Sequence, residues 1–286
     1  MTGLKKTQNR VIQWLELPGK ILDQDGVIRV RAGDETQDFI ALLDALQTGQ
    51  FNDPYIVDDG ESRLLFFDQN SIQSEMDIAE PHILTLEYTQ LMMAFLLFLP
   101  NPQQIALVGL GGGSLTRFCY HYLPGARITT LELSQDVIDL GQWFALPDDP
   151  ARCRLIHTDA AAYFAQTDEQ FDVVMVDGCD RYGTAEVFCT TEFYNHLHAR
   201  MRANSVVVIN LVGDENRIRR LLEAVIPVFG PRAVSLDTKA GNHILFILGT
   251  AVELDWNEIR RRGKKLETET ELPFVRYAKR FYKNLM

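Results

Sequence analysis

The stretch RAVSLDTKAGNHILFILGT, residues 232–250, decides the fold. Two strand-like apolar runs flank a Gly241-Asn242 turn, and the residues between them leave no room for a helix. Parallel neighbours need a long crossover, so these two runs pair as an antiparallel hairpin. Upstream, apolar runs at 104–109, 127–133, 153–156, 171–176 and 204–211 alternate with helical stretches. That alternation predicts a parallel sheet with helices on both faces. The expected class is α/β: a doubly wound, mostly parallel seven-stranded sheet that closes with an antiparallel hairpin. An ordinary dinucleotide-binding domain would insert another helix before its last strand.

The first eighty residues read differently. Short runs GVIRVRA, PYIVDD and SRLLFFDQNSIQSEM, separated by Gly, Asp and Asn, predict a small antiparallel β lobe over 1–80. From Pro81, PHILTLEYTQLMMAFLLFLP reads as one helix stopped by Pro100, and the sheet domain extends over 81–252. Residues 260–286 hold nine Lys/Arg against three Glu, although the whole chain carries a net charge of -11. The aromatic–cation spacing of FVRYAKRFYKNLM predicts that the basic 253–286 tail is helical and docks through Phe274, Tyr277 and Phe281.

The acidic balance repels nucleic acid and anionic lipid, so neither a nucleic-acid nor a membrane partner is expected. Cys119, Cys153, Cys179 and Cys189 are scattered, without metal-ligand spacing, and His196 and His198 do not share a helix face. No metal is expected, and the cysteine usage suits a reducing, cytoplasmic compartment. The N-terminus lacks the unbroken apolar stretch of a signal peptide, and LMMAFLLFL, 91–99, is too short to span a bilayer.

Ligands of open α/β sheets sit at the carboxyl ends of the strands. After the first parallel run come Gly109, Gly111, Gly112 and Gly113, and after the second comes Glu132, followed by Leu133. That spacing suits a carboxylate accepting ribose hydroxyl protons, and a dinucleotide also satisfies it. The loop misses G-x-G-x-x-G by one residue, because Ser114 stands at the last glycine. The third run ends at Asp159-Ala160, where Asp159 reads either as an adenine ligand or as a helix N-cap. The fourth ends at Asp177 and Asp180, the latter also a plausible turn former. Four carboxylates around one cleft repel a pyrophosphate; they suit an uncharged adenosine bearing a sulfonium, and an amine.

The segment FDVVMVDGCDRYGTAEVFCTTEFY, 171–194, resembles the signature of the spermidine synthases, the polyamine aminopropyltransferases. Asp177, Asp180, Gly183, Ala185, Glu186, Glu192, Phe193 and Tyr194 stand in register with it, and the similarity runs over roughly 60–250. The resemblance implies the fold of S-adenosylmethionine-dependent transferases and a homodimer. It implies transfer of an aminopropyl group from decarboxylated S-adenosylmethionine to an amine such as putrescine. By it, Asp177 is the catalytic base, and Asp180, Gln73 and Tyr88 hold the amine. Glu132 and Leu133 bind the ribose, Asp159 and Ala160 the adenine, the glycines the donor's tail, and 178–187 gates the cleft.

The sequence departs from the family at several points. The loop aspartate of the family is Gly112 here, and its gate prolines are Arg181, Thr184 and Val187. Its Tyr-His pair falls on Glu87 and Tyr88, and its amine-pocket aromatics are missing from AGNHILF. Two alternatives therefore stand beside aminopropyl transfer: a methyltransferase using intact S-adenosylmethionine, and a ligand-binding homologue without catalysis.

Overall fold

The computed structural model describes residues 13–32, 39–68, 71–180 and 183–285. Its first layer is a five-stranded antiparallel meander, β1 (Trp14–Pro18), β2 (Val27–Arg31), β3 (Tyr55–Asp58), β4 (Ser62–Asp68) and β5 (Ser71–Asp77), in that order. Alternation does its expected work in β2, where Ile28 and Val30 are buried while Arg29 and Arg31, the residues after each, are not. A helix, α1 (Phe39–Gln47), covers this sheet through Leu42 and Leu46, and Tyr55 stacks on Phe66 at 5.2 Å. The three predicted strand runs are present. Strand β1 and helix α1 were not predicted; in α1 the four-residue spacing of Leu42 and Leu46 was the available signal.

The predicted helix from Pro81 is shorter than its apolar run. Helix α2 spans Glu87–Met92 and tightens into a 3-10 turn over Met93–Leu97. Before it, Leu86 is extended, and the Gln90 side chain donates to the Leu84 carbonyl at 2.7 Å, which holds the chain out of helix. Residues 91–98 are buried on every side, so packing rather than periodicity fixes their geometry. Among the described residues no helix is long and apolar enough to cross a membrane.

The main sheet follows. Its parallel strands are β6 (Gln104–Val108), β7 (Arg127–Glu132), β8 (Cys153–His157) and β9 (Phe171–Val176), joined through α3 (Ser114–Tyr122), α4 (Gln135–Leu140) and α5 (Ala160–Gln166). A two-residue hairpin, β10 (Cys179–Asp180) and β11 (Gly183–Thr184), leads to α6 (Thr191–Ala199), parallel strand β12 (Met201–Leu211) and α7 (Glu215–Phe229). The hairpin read from 232–250 is β13 (Ala233–Asp237) and β14 (His243–Leu248), and β14 runs antiparallel to β12. The order is β13-β14-β12-β9-β6-β7-β8. The chain proceeds outward from β6 in one direction, then returns to β9 on its other side. Strand order thus reverses between β6 and β9, the place where open α/β sheets form a crevice.

Every residue of β9 is buried, as a central parallel strand requires. One face packs Phe95, Phe118 and Phe246 against α8 (Trp256–Thr270) and α9 (Phe274–Leu285); the other packs Phe164, Tyr194 and Leu221. The basic tail therefore closes the core, with Phe274, Tyr277 and Phe281 buried as predicted.

Phe281 meets Phe98 and Phe246 at ring-centroid distances of 4.8 and 4.9 Å. Phe281→Ala should lower unfolding free energy in a urea titration by about 3–5 kcal/mol. A loss under about 1 kcal/mol would mean that α9 is not part of the core.

Candidate active site

A cavity of about 750 Å3 opens at the carboxyl ends of β6, β7 and β9, roofed by β5, α2 and the β13–β14 turn. That size suits a nucleoside-sized ligand together with a smaller molecule. Its described walls include four carboxylates, Glu87, Glu132, Asp159 and Asp177, and no Lys, Arg or His.

Asp177 sits at the floor, one residue past β9, half-buried and lining the cavity. Its Oδ1 accepts the Asn210 Nδ2–H at 2.8 Å, and the Tyr88 hydroxyl hydrogen-bonds to the same carboxylate. Burial pushes its carboxyl up to about 6, against these two bonds, which favour the ionised form. Burial likewise raises the Tyr88 phenol well above its ordinary value, with the Asp177 charge adding to it, so Tyr88 is the donor. Asn210 in turn accepts from Asn242 Nδ2 at 3.0 Å. The chain of amides fixes which face of Asn210 donates to Asp177.

Asn210 and Asn242 were not singled out from the sequence. The signal was present in VVVINL: an asparagine inside a buried apolar strand needs a partner. Asn242 lies in the turn of the deciding hairpin, so that turn carries site chemistry as well as topology.

Glu132 ends β7 with both oxygens engaged: Oε2 accepts from Leu110 N and Oε1 from Ser134 N, each at 2.8 Å. The carboxylate is clamped between the glycine loop and α4, and each oxygen retains a second lone pair toward the cavity. Asp159 realises the N-cap reading, its Oδ1 accepting from Ala162 N at 2.8 Å, while it still lines the cavity beside Ala160. Leu133, Gln73 and Tyr88 line it too. The Asp180 side chain and Arg181 lie outside the described residues. Glu186, in register with the family signature, is not in the cavity; it pairs with Arg217 and Arg220 at 3.0 and 2.8 Å on the surface.

The four loop glycines divide into two roles. Gly109 and Gly111 line the cavity. Gly109 has φ +97, and a Cβ there would lie 2.4 Å from the Asp177 carbonyl, so only glycine lets the ends of β6 and β9 approach. Gly112 and Gly113 stand behind the lining. A Cβ on Gly112 would meet Ser74 Oγ at 2.6 Å and Phe144 at 3.0 Å. The Gly112 carbonyl is held by the buried Arg117 guanidinium, which also donates to the Phe144 carbonyl at 2.8 Å. Of the four glycines expected to meet a ligand, Gly109 and Gly111 line the cavity, and Gly112 and Gly113 lie next to that lining. Gly112 is needed because β5 packs there, Ser74 meeting Ser114 Oγ at 3.1 Å.

Comparison with known proteins adds a likeness. Residues 86–218 match the Spermine/spermidine synthase domain. A polyamine aminopropyltransferase of Chromobacterium violaceum is 29% identical over 228 residues, covering 79% of this chain and 87% of that protein. An eEF1A lysine and N-terminal methyltransferase of Xenopus laevis is 25% identical over 291 residues, covering 80% of this chain and 41% of that protein. A probable spermidine synthase from Corynebacterium glutamicum shares the fold at a TM-score of 0.61 and 23% identity, covering 73% of this chain and 83% of that one. Human methyltransferase-like protein 13 in complex with SAH does so at 0.58 and 23%, covering 65% and 93%.

The raised Asp177 pKa has a consequence for stability. An unfolded aspartate titrates near 4, so between about 4 and 6 the folded chain holds the extra proton. Stability from this group is present at low pH and lost as pH rises through about 6. Asp177→Asn should therefore be more stable than wild type at pH 7–8 by about 1–3 kcal/mol, the advantage vanishing below about pH 4. Parallel stability–pH curves for the two proteins in urea titrations would contradict the burial.

Proposed function

We propose, from the match of residues 86–218 to the Spermine/spermidine synthase domain, an aminopropyltransferase-like enzyme that transfers an aminopropyl group from an adenosyl-sulfonium donor to a small amine. The observation that carries this reading is the charge of the cavity: four carboxylates, no cationic side chain among its described walls, and one carboxylate buried at the floor. Both substrates of aminopropyl transfer are cations. A sulfonium and an ammonium gain from such walls, while a pyrophosphate would be repelled.

In this reading Glu132 and Leu133 hold the ribose, and the free oxygen of Asp159, with Ala160, meets the adenine. Gly109, Gly111 and Gln73 face the donor's tail, with Gly112 and Gly113 supporting the loop from behind. Tyr88 and Asp177 receive the amine, with Asp180 beside them. Asp177 takes one proton from the ammonium, leaving the nitrogen lone pair free. That nitrogen attacks the carbon beside the sulfonium. The carbon–sulfur bond breaks with its electron pair going to sulfur, which leaves as neutral methylthioadenosine. A carboxyl near 6 accepts an ammonium proton more readily than an ordinary carboxylate, and positioning by Tyr88 and Asn210 aligns it.

Methyl transfer from intact S-adenosylmethionine is a second reading, favoured by one feature. Where the resemblance places a loop aspartate, this chain has Gly112, and Ser74 fills the space a side chain would need. No carboxylate there repels the carboxylate of S-adenosylmethionine. The wild type should therefore bind the two donors within about tenfold of each other, well short of the several kcal/mol that a close like-charge contact supplies.

The test is mass spectrometry of products after incubating putrescine with each donor. Aminopropylated amine and methylthioadenosine are expected from the decarboxylated donor, and Asp177→Asn should cut this rate by about 10²–10⁴ with donor affinity little changed. Methylated product with S-adenosylhomocysteine would favour the second reading. A variant retaining more than half of the rate would remove Asp177 as the base.

A further inference from the structure

At the opposite end of the same parallel strands lies a second cavity, of about 350 Å3. Its described walls carry four arginines, Arg127, Arg152, Arg154 and Arg202, against one carboxylate, Glu169. This runs counter to the sign of the chain, whose net charge is -11. Strand pairing brings the arginines together: β7 sets Thr129 opposite Arg154, and Ile128 N donates to the Arg152 carbonyl at 2.7 Å.

The nearby carboxylates are already committed. Glu169 takes Arg154 Nη2 on both oxygens at 2.8 Å. Asp172 takes Arg202 Nη1 at 2.7 Å on one oxygen and the backbone N–H groups of Gln103 and Gln104 on the other. Two arginines remain over. Arg127 makes no hydrogen bond or ion pair through its side chain with any described residue, and that side chain is exposed at the start of β7. Arg152 stacks on Tyr120 at 4.3 Å and gives Nη2 to the carbonyls of Tyr120 and Leu123, yet its Nε–H is buried without a partner. The open Arg127 guanidinium, over a hollow lined by three further arginines, matches phosphate oxygens in pairs.

We propose that this trough binds a small inorganic polyanion of the pyrophosphate class. Arg127 supplies the free donors, and Arg152, Arg154 and Arg202 supply charge around it. Among the described residues the wall holds no aromatic side chain on which a base could stack, which favours an inorganic anion over a nucleotide. Five- and six-residue strands separate it from the acidic cavity by roughly 16–20 Å, so the two sites fill independently.

The test is calorimetric titration of pyrophosphate into the wild type, into Arg127→Glu and into Arg152→Lys, with melting curves to establish that each variant is folded. Wild type should bind, more weakly as salt rises. Arg127→Glu should lose at least about tenfold in affinity, and Arg152→Lys, which keeps the charge but loses the fork, a smaller amount. ATP should bind no tighter than pyrophosphate. Absence of binding to wild type, or equal affinity in Arg127→Glu, would overturn the site. A preference for ATP above about tenfold would overturn the inorganic assignment.

Discussion

A carboxylate placed where water cannot fully solvate it needs donors, and Asp177 has two fixed ones, Asn210 and Tyr88. Satisfying that single group ties four parts of the chain together. Strand β9 delivers the aspartate, β12 delivers Asn210, α2 delivers Tyr88, and the β13–β14 turn delivers Asn242 to orient Asn210. The helixless hairpin at the end of the sheet is thus more than an ending: it brings a carboxamide back over the crevice that the strand reversal opens. Removing either donor leaves the other bond to offset the same burial, so the group's proton affinity rises.

The glycine loop answers to the same constraint from the other side. Gly109 must pass within reach of the Asp177 carbonyl, and Gly112 must yield its side-chain space to Ser74. The N-terminal sheet therefore packs directly on the loop and sets the shape of one wall. The charges of the fold are sorted along the strands as well. Carboxylates gather at the carboxyl ends and arginines at the amino ends, so one sheet presents opposite fields at its two rims.

Much of this was legible in the residues. Five apolar runs separated by helical stretches, and a turn too short for a crossover, specified the sheet and its antiparallel closure, because strand period and connection length are local properties. Glu132, Asp159 and Asp177 were readable for a related reason: a polar residue at the end of an apolar run points out of the sheet's carboxyl edge. What escaped the sequence depends on contacts distant along the chain. The late start of α2 is decided by the Gln90 bond to Leu84 and by burial on all sides. The role of Gly112 is decided by Ser74, thirty-eight residues earlier. Asn210 was visible as an anomaly inside VVVINL, but its partner, one residue beyond β9, could not be known without the register of β12 on β9.

The central claim is that the fold buries one carboxylate and raises its proton affinity. Its most direct test is a carbon-13 NMR titration of the Asp177 carboxyl in the wild type and in Tyr88→Phe. The account predicts a midpoint near 6 in the wild type, moving higher when the tyrosine donor is removed. A midpoint at the ordinary aspartate value of about 4, unchanged in Tyr88→Phe, would contradict it.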